Sequence, residues 1–304
     1  MWKVIIRLIL KLLIGLVLVA LLTLLERNFL GRGQLRYGPN KVGPSGLLQP
    51  IADAVKLYLK GLLYPIFVNK VGFIIMPVSS LFLALVGWSI LPISSNYLYY
   101  YYGLIGLLII SALRVYPIIL RGWSSNAKWR AIGRLRNIAQ TISYEVSIAF
   151  IIIASVIYYH SIDLTNYNSY ILFIIIPLIL VLWIITILAE SNRAPFDLAE
   201  GERELVSGFN TEYSGAIFTV LFLAEYIFIL VLSSITVLIY IGSCNRILLI
   251  GVALRILWCR ITLPRLRVDS LIYLCWYLIL PVSMTGLVFT SVTALKVDRI
   301  MCVI

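Results

Sequence analysis

The sequence predicts an all-α, polytopic membrane protein with about eight transmembrane helices and a short amphipathic helix in its first loop. Hydrophobic residues make up 62% of the 304 positions, charged residues make up 12%, and the mean hydropathy is +1.01. A soluble domain usually has about 25% charged residues, and a domain of this size could not bury so much apolar surface. We therefore expect residues 1–304 to form a single integral-membrane domain surrounded by lipid.

Eight apolar runs account for the predicted spans, each of which needs roughly 20 residues to cross a bilayer. They cover residues 4–25, 71–91, 98–120, 138–159, 170–190, 215–241, 245–262 and 271–294. The first run begins almost at Met1 and lacks a small-residue cleavage site, so we interpret it as a span and not as a removed signal. Arg255 interrupts the seventh run.

The first loop, residues 26–70, combines a segment rich in Gly and Pro with an amphipathic helix. Its portion GRGQLRYGPNKVGPSGLLQP favours turns and close backbone approach. This portion matches neither a GxGxxG motif nor a P-loop, so nucleotide binding is unsupported. Within residues 47–60, the apolar side chains share one face and Asp53, Lys56 and Lys60 share another, which predicts a helix at the membrane interface. An anchor that only seals the loop is the alternative.

The distribution of Lys and Arg predicts the topology. The loops after helices 1, 3, 5 and 7 carry 17 basic residues, whereas the loops after helices 2, 4 and 6 carry only Arg246. The odd-numbered loops are therefore expected on the positive-inside face of the membrane, with both termini opposite. Lys3, Arg7 and Lys11 point the other way. Because the bases are spread over loops beside lipid, the net charge of +12 does not indicate nucleic-acid binding.

The acidic residues are clustered, and this clustering is the main functional signal. Seven of the thirteen lie in one stretch: Glu190, Asp197, Glu200, Glu202, Glu204, Glu212 and Glu225. Glu145 and Glu225 stand in apolar runs, and Glu26 ends the first run. Carboxylates within membrane segments usually mark proton or substrate paths. Salt bridges between helices are the alternative, but the acidic segment itself contains only two bases, Arg193 and Arg203.

Cysteine and histidine predict no metal site. The four cysteines are 15, 16 and 27 residues apart, without a CxxC pair, and His160 is the only histidine. Zinc and iron–sulfur sites need closely spaced sets of such ligands.

Two long segments resemble signatures of a known family. They read LLERNFLGRGQLRYGPNKVGPSGLLQPIADAVKL and AESNRAPFDLAEGERELVSGFNTEY, the second followed by FLAEY. Both are similar to the NADH–ubiquinone oxidoreductase chain 1 family, the membrane subunit of respiratory complex I beside the quinone site. The segments QTISYEV and TLPRLRVD match at corresponding places. The resemblance therefore covers nearly the whole chain.

The resemblance implies a core membrane subunit of a proton-pumping NADH:ubiquinone oxidoreductase. In that family eight helices pack where the peripheral arm docks, and an acidic funnel leads from a quinone chamber toward antiporter-like subunits. The implied quinone-binding residues are Arg27, Arg36, Asp53, Phe209, Phe222 and Arg265. The implied proton relay is Glu26, Glu145, Glu190, Asp197, Glu200, Glu202, Glu204, Glu212 and Glu225. The implied loop-positioning residues are Gly38, Pro39, Asn40, Arg193 and Pro195.

The same resemblance implies the cofactors and partners. Ubiquinone is the expected substrate, nothing is bound covalently, and FMN and iron–sulfur clusters are expected only in partner subunits. The expected partners are the peripheral-arm subunits at the quinone site, neighbouring membrane-arm subunits and membrane lipid. The chain length and the many Ile, Tyr and Asn residues suggest the mitochondrial inner membrane, with a bacterial plasma membrane as the alternative. A hydrogenase-type electron partner and an independent ion channel or transporter are the alternative functions.

The sequence departs from the family pattern at several charged positions. The family usually has an acid where Gly61 stands and a small residue where Arg203 stands. Arg114, Arg121 and Arg134 replace small or apolar residues. These departures leave both signatures intact, but they change the set of charges available to a proton relay.

Overall fold

A computed structural model describes residues 2–62, 64–65, 68–92, 100–126, 128–164, 167, 177–197, 213–242 and 246–303. Over these residues the chain is helical, without strands. The helices are α1 (Trp2–Gly33), α2 (Gln49–Leu59), α3 (Lys70–Ile90), α4 (Gly103–Ser124), α5 (Lys128–Tyr159), α6 (Pro177–Glu190), α7 (Gly215–Ile241), α8 (Arg246–Thr262), α9 (Val268–Tyr273) and α10 (Leu280–Val303). A π-helical stretch, Leu274–Ile279, joins α9 to α10.

The predicted all-α, multi-pass fold is confirmed. In the described part of the chain, six helices are long and apolar enough to cross a membrane: α1, α3, α4, α5, α7 and the continuous helix from α9 into α10. Helix α6 is apolar but has only 14 residues, and the preceding residues 168–176 lie outside the described ranges. With α6 and the 17-residue α8, this arrangement is roughly consistent with the predicted count of about eight.

Helix ends differ from the predicted ends where polar residues continue a helix. Helix α1 runs to Gly33, although the first apolar run ends at residue 25, and α5 begins at Lys128, although its apolar run begins at 138. The first turns of α5 read KWRAIGRLRN, and Lys, Arg, Ala and Leu all have high helix propensity. Apolarity defines the part of a helix that lies in lipid, so it underestimates the length of these helices.

Helix α7 is the centre of the bundle. Every residue from Tyr226 to Tyr240 is buried, and α1, α2, α3 and α8 all pack against this helix. In contrast, α1 exposes large apolar side chains such as Ile6, Leu10 and Val17 along its outer face. A patch of this kind is expected to face lipid or another subunit.

Lys11 is a buried structural residue, although as a basic residue it opposes the predicted topology. Its side chain is only 6% exposed. The Lys11 ammonium donates hydrogen bonds to the carbonyl oxygens of Ser89 and Leu91, each at 2.5 Å, and the indole of Trp88 donates to the Lys11 carbonyl at 3.0 Å. The last carbonyls of a helix have no partner within the helix. Lys11 therefore caps the C-terminus of α3 from α1.

Replacing Lys11 by methionine is expected to destabilise the protein, because the carbonyls of Ser89 and Leu91 would lose their donor in an apolar environment. Leaving such a group unsatisfied costs about 1–3 kcal/mol. The measurement is the thermal stability of the purified membrane complex. Lys3→Met is the control, since Lys3 is an exposed lysine on the same helix. Equal stability of the two variants would contradict the capping role.

Candidate functional site

The odd-numbered loops of the predicted topology follow α1, α4, α6 and α8 in the structure. Side chains and backbone groups of these four loops contact one another. The Arg265 guanidinium donates to the Asp197 carboxylate, with 3.0 Å between Nη2 and Oδ2. The amide of Asn69 donates to the carbonyl of Ser124 at 2.9 Å, which joins the first loop to the end of α4. Glu26 links the first loop to the loop after α6. The four loops that carry most of the basic residues therefore lie at one end of the bundle. The side of the membrane that they face stays a prediction.

Glu26 is a buried carboxylate, 3% exposed, that is held by three side chains. Arg193 donates to Oε1 at 3.2 Å, and Arg260 donates to the same oxygen. The Tyr226 hydroxyl donates to Oε2 at 2.7 Å, and the Arg193 guanidinium lies 4.6 Å from the centre of the Tyr226 ring. One carboxylate therefore fastens together α1, α7, α8 and the loop after α6.

Arg193 keeps its positive charge in this buried position. Burial lowers the pKa of Arg193, but the neighbouring Tyr226 and Glu26 raise the pKa by more, so that the net pKa lies above its ordinary value. Glu225 acts in the same direction. The guanidinium is thus a permanent countercharge between Glu26 and Glu225 and does not itself release a proton.

A second ion pair lies deeper in the bundle, between α4 and α6. Arg114 Nη1 lies 3.4 Å from Glu190 Oε1 and donates to the Glu190 carbonyl at 3.2 Å. The same guanidinium lies 3.8 Å from the centre of the Phe228 ring and interacts electrostatically with Glu225. Glu190 Oε2 is buried without a hydrogen-bond partner among the described residues. This oxygen is therefore available to hold a proton.

Two cavities with room for water lie beside this pair. Arg114, Glu225 and Asn192 line the first, whereas Glu190 and Ser111 line the second. Two residues line both cavities: Ile110 and Phe228. The two cavities therefore lie next to each other, with Glu225 on the wall of one and Glu190 on the wall of the other.

The ionisable groups form a series in which acids and bases alternate. Its members, from α1 to α6, are Glu26, Arg193, Glu225, Arg114 and Glu190. Glu145 on α5 interacts electrostatically with Glu190 at the end of this series. The acidic segment itself contains only the bases Arg193 and Arg203. The structure supplies others from distant elements: Arg114, Arg260 and Arg265.

The described members of the implied quinone-binding set lie in different settings. Arg27 pairs with Asp53, and the Gln49 side-chain amide donates to Asp53 at 2.9 Å, so α1 and α2 are joined there. Arg36 is exposed. Phe222 is partly buried on α7, where its ring lies 4.4 Å from that of Phe218. Five implied residues lie outside the described ranges: Glu200, Glu202, Glu204, Phe209 and Glu212.

A largely apolar pocket of about 400 Å³ lies elsewhere, between α6, α7 and α8. Its lining includes Ile184, Tyr240, Gly251 and Arg255. None of the described residues implied for quinone binding lines this cavity. We therefore do not assign it to the quinone.

The implied loop-positioning residues lie in the Gly/Pro-rich segment and in the loop after α6. A Cβ atom on Gly38 would lie 2.7 Å from the Cα atom of Asn28 on α1, so the loop backbone packs directly on that helix. Gly46 adopts a φ of +74° and touches the carbonyl of Pro39. Asn40 is exposed. Pro195 accepts a hydrogen bond from the amide of Leu266 at 3.0 Å.

Replacing Gly38 by alanine is expected to displace the first loop from α1, because its Cβ would overlap the backbone of Asn28. Overpacking of this kind costs about 1–3 kcal/mol. The measurement is the yield and quinone reductase activity of the purified complex. Gly61→Ala is the matched control, since a Cβ on Gly61 would meet nothing within 4 Å. A normal complex carrying Gly38→Ala would contradict this docking of the loop.

Three site residues were not singled out from the sequence: Gln140, Tyr226 and Arg260. The buried Gln140 side chain donates to the carbonyls of Ala189 and Phe196, at 2.8 and 2.9 Å, and so fixes the loop between Glu190 and Asp197. The segment QTISYEV was recognised as a motif, and an uncharged polar residue in an apolar helix was the available signal for Gln140. No local pattern indicates that Tyr226 and Arg260 bind Glu26.

Comparisons with known proteins show which proteins this chain resembles. A family model described as NADH dehydrogenase matches residues 6–291. The NADH-ubiquinone oxidoreductase chain 1 of Anopheles gambiae is 44% identical over 281 residues, which cover 89% of this chain and 89% of the relative. That of Myxine glutinosa is 47% identical over 289 residues, covering 90% and 91%. That of Aquarana catesbeiana is 47% identical over 280 residues, covering 88% and 86%.

Proposed function

Because the chain belongs to the NADH dehydrogenase family, with NADH-ubiquinone oxidoreductase chain 1 proteins as its relatives, we propose that it forms the quinone chamber and couples quinone reduction to proton movement. By its family, the chain is a multi-pass membrane subunit of an NADH-ubiquinone oxidoreductase complex, and ubiquinone is the substrate of that complex.

The observation that carries the proposal is the alternating acid–base series. It begins at Glu26, where the odd-numbered loops meet, and continues through Glu225 to Glu190 among the spanning helices. Burying so many charges costs free energy, which structural pairing alone seldom repays. Carboxylates that are buried or partly buried beside cavities with room for water, as Glu225 and Glu190 are, suit proton transfer.

The residues near the start of the series suit a quinone. Phe218, Phe222 and Tyr226 are spaced four residues apart on α7, and therefore form one aromatic stripe that leads toward Glu26. The apolar part of a quinone would pack along such a stripe. The nearby Arg27–Asp53 and Arg265–Asp197 pairs supply charges toward which a polar headgroup could be oriented. Reduction of the quinone takes up protons, so it would change the protonation of a carboxylate series beside the headgroup.

The electrons must then come from partner subunits that carry FMN and iron–sulfur clusters, and these partners dock at the end where the odd-numbered loops meet. We place this end on the matrix side of the mitochondrial inner membrane, as the basic residues predict. The neighbouring membrane-arm subunits would receive the protons or the charge displacement that the series conducts.

Replacing Asp197 by asparagine in the assembled enzyme tests the proposal. The Asp197–Arg265 ion pair joins the loop after α6 to the loop after α8, and asparagine keeps the size of aspartate but removes its charge. We expect quinone reduction to fall by about tenfold or more. NADH oxidation with a soluble artificial acceptor, which takes electrons from the partner subunits, should stay unchanged. Undiminished quinone reduction and proton pumping would refute the role of this loop.

A further inference from the structure

Arg114 is a member of the series that cannot itself carry a proton, and it is one of the positions at which the sequence departs from the family pattern. It sits on α4, and its side chain is only 12% exposed. Its guanidinium contacts Glu190 on one side and the Phe228 ring on the other, and it faces the cavity that Glu225 also lines. A buried arginine in this position changes the energy with which Glu190 binds or releases a proton.

We propose that Arg114 is a positioning residue that sets the pH range in which Glu190 binds and releases a proton. A guanidinium is not deprotonated in proteins, so Arg114 contributes a constant positive charge and cannot carry the proton itself. Its charge favours the ionised form of whichever carboxylate it faces, because the attraction is strong where the local dielectric constant is low. The inference rests on the proposed proton-relay function and assigns a means of regulating it.

Arg114 makes its direct polar contacts with Glu190, whereas Glu225 lines the same cavity as Arg114. It holds Glu190 through Oε1 and through the backbone carbonyl, and this leaves Glu190 Oε2 without a partner among the described residues. The stacking on Phe228 restricts the guanidinium plane. Arg114 therefore fixes the Glu190 carboxylate with one oxygen neutralised and the other free to accept a proton from water in the adjacent cavity.

Other charged groups interact electrostatically with Glu190 or Glu225. Glu145 on α5 interacts with Glu190, and Arg193 in the loop after α6 interacts with Glu225. Arg121 lies about two turns after Arg114 on the same helix and also lines the cavity of Glu225. Arg193 is already engaged with Glu26. Arg114 is thus the base in direct contact with Glu190.

The test compares Arg114→Met, Arg114→Lys and Glu190→Gln in the assembled enzyme, with NADH:ubiquinone reductase activity measured as a function of pH. Without the positive charge, a carboxylate ionises only at higher pH. We therefore expect the acidic limb of the Arg114→Met profile to move to higher pH by about one to three units. Arg114→Lys keeps the charge and should restore a profile near that of the unmodified enzyme.

Arg134→Met is the matched control, because the Arg134 stem packs against Gly122 of α4, away from Glu190. An Arg114→Met profile that superimposes on that of the unmodified enzyme, while Glu190→Gln is impaired, would overturn the role of Arg114 and leave the relay intact. Full activity of Glu190→Gln at every pH would instead refute the relay. A lowered rate without a shift of the profile, and without rescue by lysine, would also overturn the inference, since it would indicate a packing role.

Discussion

Replacing Glu26 by alanine is expected to prevent assembly of the NADH-ubiquinone oxidoreductase, because two guanidinium groups and a phenol would lose their shared acceptor. Arg193, Arg260 and Tyr226 all donate to this one buried carboxylate. Removing one partner from a buried ion pair costs about 3–5 kcal/mol, a large part of the stability of most proteins. The measurement is the amount of intact complex recovered from the membrane.

The milder change Glu26→Gln separates assembly from activity. The amide oxygen can still accept a hydrogen bond, so we expect an assembled complex in which quinone reduction falls by about tenfold or more. Asp269→Asn is the matched control, since Asp269 pairs with Arg267 on the surface, where the two side chains are 82% and 86% exposed. Exposed pairs contribute little. Equal behaviour of Glu26→Gln and Asp269→Asn would contradict a functional role for Glu26.

Replacing Glu225 by glutamine is expected to reduce quinone-linked turnover by about 100-fold, which is within the usual contribution of a group that transfers a proton. Glu225 lines the same cavity as Arg114 and interacts electrostatically with both Arg114 and Arg193. Glutamine has nearly the same size but cannot hold and release a proton. The measurement is NADH:ubiquinone reductase activity of the purified complex.

Ser80→Ala is the control for this cavity. Ser80 lines it beside Glu225, but its hydroxyl is already bonded to the carbonyl of Pro77 at 2.7 Å. A loss of the same size in Ser80→Ala would show that any change in the cavity wall reduces turnover. In that case the carboxylate of Glu225 would have no special role.

The spanning helices could be predicted because lipid selects long apolar runs, and the amphipathic helix α2 could be predicted because its charges share one face. The ends of α1 and α5 could not, since both helices continue through polar residues that have high helix propensity. The burial of Lys11 could not be predicted from the sequence either, because its acceptors at the end of α3 are about 80 residues away in the chain.

The acids of the site could be named from the sequence, but their partners could not. Arg260 and Glu26 are 234 residues apart, and Arg114 and Glu190 are 76 residues apart. No spacing rule relates positions on different helices, so the sequence suggested an excess of unpaired carboxylates where the structure has alternating charges. For the segment from Glu200 to Glu212, which lies outside the described residues, the assigned roles stay predictions.

The most direct test of a proton-conducting carboxylate series uses the complex carrying both Glu190→Gln and Glu225→Gln, reconstituted in liposomes. Quinone reduction and proton translocation are measured together after addition of NADH. Because both carboxylates beside the two cavities are then unable to bind a proton, we predict that proton translocation is lost and that quinone reduction falls with it. Full quinone reduction accompanied by an unchanged number of protons translocated per NADH would contradict the proposal.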